Sequence, residues 1–153
     1  MAILRVYLFG GLRLFHGEAP LPPFPTQKTR SLFAYLATFR EYPHPRSALA
    51  QVLWPGMPPA QAGRSLNTTL WRLRRTIPPS HITAQEDWLA LTCDADCWLD
   101  TAAFEASLQQ AGLDPGRALI PTALPELGLS ALLQAVDLYR GDLLEGLDEP
   151  WCL

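Results

Sequence analysis

The chain has 153 residues, 48% of them hydrophobic and 18% charged, which suits one ordinary domain or two small ones with a packed core and excludes a disordered chain. Its formal charge of -3 hides an asymmetry. Residues 1–85 hold ten Lys or Arg against Glu18 and Glu41, a balance of +8, whereas residues 86–153 hold Arg117 and Arg140 against thirteen acids, a balance of -11. Such a split points to two modules with different partners, the basic one suited to nucleic acid.

In chain order, Ile3 to Phe9 and Leu12 to His16 are short apolar and aromatic runs joined by Gly10-Gly11, a hairpin signal. The proline-rich Pro20 to Pro25 is suited to one edge strand and then a stop. Thr26 is the expected N-cap of a helix to about Arg40, on which Leu32, Leu36 and Phe39 recur at helical spacing and whose first turn presents Lys28 and Arg30. Tyr42-Pro43-His44-Pro45 breaks it, Ser47 is an expected cap for a short helix through Leu53 and Trp54, and Pro55-Gly56 forces a loop.

Pro58 and Pro59 suit the first turn of the next helix, where the amides they lack would go unpaired. This helix, Ala60 to Ile77, carries the strongest pattern in the chain. At roughly 100° per residue Leu66, Leu70, Leu73 and Ile77 fall on one stripe. Arg64, Thr68, Trp71, Arg72 and Arg75 lie opposite, flanked by Asn67 and Arg74, with no acid among them. One face suits a core; the other is either a solvated basic face or one that meets phosphates and base edges. Pro78-Pro79 ends the helix. His81 to Ala84 and Trp88 to Thr92 then read as a closing hairpin across Gln85-Glu86-Asp87. Sheet, three helices and hairpin in that order describe a helix-turn-helix with a wing, whose third helix fits a major groove about 12 Å wide.

The second half reads as helical. Asp100 is an expected cap for a helix from Thr101 to about Ala111 with Phe104 and Leu108 on one side, and residues 112–127, with three prolines and Gly116, read as a linker. Ser130 to Arg140 is a second helix with Leu132, Leu133, Val136 and Tyr139 apolar and Gly141 to end it. Two such helices form an antiparallel hairpin, the unit of tetratricopeptide (TPR)-like stacks.

The segments LRVYLFGGLRL, QKTRSLFAYLA, LAQVLW and SLNTTLWRLRRTI resemble the OmpR-type winged-helix DNA-binding domain, most closely the version in the Streptomyces antibiotic regulatory protein (SARP) family. There it precedes a helical bacterial transcriptional activator domain, which WLDTAAFEASLQQA and LLQAVDLYRGDLLEGLDEPW resemble. The resemblance covers nearly the whole chain. It implies an α+β winged helix-turn-helix over residues 1–93 followed by a shortened, all-α TPR-like activator domain over residues 94–153. It further implies a sequence-specific regulator, an activator, that binds double-stranded DNA, assembles as a homo-oligomer on tandem repeats and contacts RNA polymerase.

By matching positions, the resemblance sets Asn67, Thr68, Trp71 and Arg72 toward base edges and Arg64, Arg74 and Arg75 near phosphates. Arg72 can pair with guanine, Asn67 with adenine, and Thr68 can meet a thymine methyl. Trp71 either packs on sugar or methyl or lies against the wing, and Arg74 either meets phosphate or makes a salt bridge within the protein. Lys28, Arg30 and Arg46, at helix starts, are further phosphate candidates or simply solvated cations. Glu86-Asp87 put acids where a phosphate-facing wing would want none. The alternative is a winged-helix protein-interaction module whose basic face docks an acidic partner or the chain's own C-terminal half.

No catalytic, cofactor or metal constellation is expected. Cys93 and Cys97, with Asp94 and Asp96 between them, lack a nearby histidine and read as buried or incidental thiols; His16, His44 and His81 are scattered; Gly10-Gly11 lacks a phosphate-loop pattern. Three cysteines without framework spacing, no leader and no apolar run near roughly 20 residues suggest a soluble, cytoplasmic, non-enzymatic protein with no membrane partner.

Overall fold

The computed structural model describes residues 3–93, 96–110, 126–147, 149 and 151, with the backbone alone for 126–129. In chain order the elements are β1 (Leu4–Tyr7), β2 (Arg13–His16), β3 (Ala19–Pro20), α1 (Gln27–Thr38), β4 (His44–Pro45), α2 (Arg46–Leu53), α3 (Pro59–Thr76), β5 (Ile82–Ala84), β6 (Trp88–Leu91), β7 (Cys97–Leu99), α4 (Asp100–Gln110) and α5 (Glu126–Leu138), with a 3-10 turn at Pro79–His81. The fold is mixed α/β. It has two compact units, Met1–Gly17 with Cys97–Gly146, and Glu18–Asp96 with Leu147–Leu153. Neither is continuous in the sequence, so the units group residues differently from a linear division after residue 93.

The Glu18–Asp96 unit is built on α1, α2, α3 and an antiparallel sheet ordered β4-β6-β5. Thr26 caps α1 as expected, its hydroxyl oxygen accepting from the Thr29 amide at 3.1 Å. Leu32, Phe33 and Leu36 are fully buried with Leu49, Leu53, Leu66, Leu73 and Leu89, so three helices and the central strand share one core. Each such side chain contributes about 1.5–3 kcal/mol relative to exposure. Two expectations for this region fail. Phe39 lies past the end of α1 and is 41% exposed, its ring against Tyr35 and His44. Ser47 does not cap α2, which begins one residue earlier behind Pro45 with no side-chain cap. The Arg46 amide donates to the Asp87 carbonyl at 2.9 Å, so the hairpin satisfies one of the unpaired donors at the helix start.

The β5–β6 hairpin pairs Ile82 with Leu91 and Ala84 with Leu89, and Gln85 N–H closes it on the Trp88 carbonyl at 2.9 Å. β4, absent from the expected elements, adds a third strand by pairing His44 with Leu89. Farther along, Leu147 is buried and the Trp151 indole N–H donates to the Ser31 hydroxyl at 2.9 Å, which fastens this C-terminal stretch to α1.

In the Met1–Gly17 unit, β1 pairs antiparallel with β2 and parallel with β7. The hairpin link at Gly10 takes φ +74°, and a Cβ there would sit 2.9 Å from the Arg140 carbonyl oxygen, so both conformation and space call for glycine. β7 departs from the all-α reading of residues 94–153; three residues carry too little alternation to announce a strand.

Asp100 does not cap its own helix. It opens α4 fully buried, and its carboxylate accepts the Leu8 amide at 2.9 and 3.0 Å and the Phe9 amide at 3.0 Å, joining the end of β1 to the start of α4. Phe9 packs on Phe104 and Tyr139 at 5.2 and 5.3 Å between ring centres. α5 begins at Glu126, within the expected linker, whose residues 112–125 lie outside the described ones. Among its described side chains the buried ones are Ala131 and Ala135, whereas Leu133 and Val136 are 62% and 63% exposed. Of the apolar positions expected on this helix, Tyr139 packs on Phe9 while Leu133 and Val136 stay exposed, and the small residues are the buried ones. Cys93 and Cys97, expected as thiols, are both disulfide-bonded.

Candidate functional site

α3 starts with Pro59 at its first position and ends with the Ile77 amide bonded to the Leu73 carbonyl at 3.1 Å. Leu66, Leu70, Leu73 and Ile77 are buried as the periodicity requires, and Ala62 and Thr69 join them. Thr69 tolerates burial because its hydroxyl donates to the Ser65 carbonyl at 2.8 Å. Burying this stripe fixes the rotation of the helix about its axis. Arg64, Asn67, Thr68, Trp71, Arg74 and Arg75 are consequently exposed and Arg72 is partly exposed.

The exposed side chains are not independent. The Arg75 guanidinium lies 4.8 Å from the centre of the Trp71 ring, and Trp71 is 59% exposed, so indole and cation present one platform. The Thr68 hydroxyl donates to the Arg64 carbonyl at 3.2 Å, so it is satisfied within the helix. Asn67 accepts from Arg46 at 2.9 Å. Arg74 takes part in no ion pair among the described residues.

A groove of about 400 Å³ runs between the start of α1 and α3, lined among others by Lys28, Trp54, Arg64, Ser65, Thr68 and Arg72. Three cations and hydroxyls make it suited to an anion. Lys28 is tethered there: Nζ donates to the Leu53 carbonyl at 2.6 Å and pairs with the buried Glu149 carboxylate at 3.1 Å. Arg30 lies partly exposed one turn along α1.

Arg64, Thr68 and Arg72 thus share a groove with Lys28, whereas Asn67 and Arg46 meet elsewhere, in a second depression of about 340 Å³ between α2 and α3 that Glu86 also lines. Ser65, Trp54 and Glu149 were not among the expected residues. Ser65 sits one turn before Thr69 and three residues before Thr68, a spacing that points to it; Glu149 is 121 residues from Lys28 and gives no local signal. Among the described residues no group of three His, Cys, Asp or Glu side chains is placed to hold a metal ion, and no helix is long and apolar enough to cross a membrane.

No model of a known protein family matches the chain, and no curated protein matches its sequence. Among solved structures the chain is similar to EmbR of Mycobacterium tuberculosis, in its complex with a low affinity phosphopeptide, at a TM-score of 0.72 and 25% identity. The match covers 96% of this chain and 38% of the EmbR chain, so the protein spans well under half of that neighbour's length.

Proposed function

We propose that the chain is a sequence-specific DNA-binding transcriptional regulator of the SARP type, an activator and not an enzyme, in which α3 enters the major groove. In this reading α1, α2, α3 and the β5–β6 wing form an OmpR-type winged helix. The α4–α5 pair is the opening of a TPR-like activator domain that serves RNA polymerase contact and assembly on tandem repeats. EmbR is a SARP-family regulator, and a likeness over nearly the whole chain supports a SARP-like regulator here.

The observation that carries the reading is the division of α3. Its leucines are buried, while guanidiniums, an amide, a threonine and an indole share the free side without a carboxylate on the helix. Arg72 is the candidate for guanine, Thr68 for a thymine methyl, and Arg64 and Arg75 for phosphates. Arg72→Ala is expected to relax preference at one base pair, at a cost of about 1–3 kcal/mol. Arg64→Ala should weaken all sequences alike and reduce the salt slope by about 0.9. A mobility-shift titration on a selected site reads both; parental binding by both variants would remove α3 from the interface.

A second reading, in which the basic face docks an acidic partner, draws on the Lys28–Glu149 pair, where a C-terminal acid already occupies one cation of the groove. Binding to random duplex DNA at low salt separates the two readings, because a dedicated protein-docking face shows none.

A further inference from the structure

Arg46 stands at the start of α2 beyond the apolar core, yet both of its ends are committed. Its amide donates to the Asp87 carbonyl at 2.9 Å. Its guanidinium reaches in two directions, Nε to the Gln85 carbonyl at 2.9 Å and Nη1 to Asn67 Oδ1 at 2.9 Å. One side chain therefore ties the β5–β6 turn to the exposed face of α3. Two of the guanidinium's donors, Nε–H and one on Nη1, are thereby held by the protein itself.

The consequence falls on Asn67. A side-chain amide can present its oxygen or its nitrogen in a given direction, and the two orientations read opposite patterns. A guanidinium has donors only, so the contact with Arg46 is compatible with Oδ1 alone on that side. The amide is held in one sense, and because Oδ1 can accept twice, it keeps an acceptor site and its Nδ2 donors for a base edge. That remaining acceptor and donor, side by side, complement N6–H and N7 of adenine. The opposite sense would reverse the pattern and lose the match.

We infer that Arg46 is a positioning residue for base recognition: by binding both the Gln85 carbonyl and Asn67 Oδ1, it locks the Asn67 amide in the orientation that selects adenine. The inference rests on the DNA-binding reading of α3. Arg46 acts through Asn67, and the β5–β6 turn acts through Arg46, so a hairpin carrying Glu86 and Asp87 contributes to specificity without touching phosphate. Lysine does not substitute, because a single ammonium lacks the fork that spans both acceptors.

The test is selection from a random duplex library with the full chain, followed by titration of the selected site and its single-base variants. Arg46→Met, Arg46→Lys, Asn67→Ala and the Arg46→Met/Asn67→Ala pair are compared with the parent. Arg46→Met and Arg46→Lys are each expected to lower the preference for adenine at one position about tenfold while leaving the other positions and the salt slope unchanged. In the Asn67→Ala background Arg46→Met should add nothing at that position. A uniform loss over all sequences with a shallower salt slope would make Arg46 a phosphate contact and overturn the inference, as would additive effects of Arg46→Met and Asn67→Ala. Retained parental preference in Arg46→Lys would also overturn it, since that variant keeps the charge and loses the fork. Specific binding by the parent with any of these results sinks the inference alone; a parent that binds no duplex DNA sinks the DNA-binding reading with it.

Discussion

Lys28 shows how the use of a residue depends on neighbours far from it in sequence. At the start of α1 it reads as one more exposed cation, but its Nζ is held between the Leu53 carbonyl and the Glu149 carboxylate, and Glu149 is 4% exposed. The pair is too buried on one side to be dismissed as a surface ion pair, and removing one partner changes what the other can do. Glu149→Gln keeps the shape and removes the charge, leaving the Lys28 ammonium uncompensated at the mouth of the groove. Binding of the full chain to random duplex DNA should then strengthen a few-fold, with a salt slope steeper by up to about 0.9, the value for one additional phosphate contact. An unchanged slope in a fluorescence-anisotropy titration would mean that Lys28 does not face the bound strand. Arg46 carries the same lesson in another form: its position at a helix start suggested phosphate, and its hydrogen bonds point to Asn67 and Gln85.

Among the elements, α3 was legible in the sequence and several others were not. Three leucines and Ile77 at helical spacing over about three turns specify both the helix and its rotation, and the buried residues of α3 follow that stripe. β4 and β7 are two and three residues long, and their partners are β6 and β1, so nothing within either strand reveals the pairing. α5 misleads in another way: Leu133 and Val136, two of its large apolar residues, are exposed, whereas Ala131 and Ala135 are buried. Hydrophobicity marks a face; it does not say how near the neighbouring backbone comes. Asp100 illustrates a right residue with a different function, since its carboxylate binds β1 amides instead of its own helix. Asp100→Ala would leave the buried Leu8 and Phe9 amides without acceptors, a cost of about 3 kcal/mol. Chemical denaturation followed by circular dichroism should show that loss, and a variant as stable as the parent would show that water or backbone takes over the amides.

At the level of the whole molecule, charge must be counted by compact unit and not by sequence half. The unit that holds α3 carries eight Lys or Arg against eight Asp or Glu, and the other carries four against seven. The +8 and -11 of the two halves therefore do not describe the units, because residues at the two ends of the chain are exchanged between them. What distinguishes the α3 surface is local: its cations lie on one side of a helix that has no acid. Attraction between exposed charges fades beyond about 10 Å at 0.1 M salt, so this local arrangement, more than net charge, governs an encounter with DNA. The most direct measurement is the affinity of the full chain for a random duplex between about 50 and about 200 mM salt. Measurable binding is expected at the low end, falling linearly on logarithmic axes, with a shallower slope for Arg64→Ala/Arg75→Ala. Absence of binding at the low end, or binding indifferent to salt and to both substitutions, would contradict the DNA-binding reading of α3.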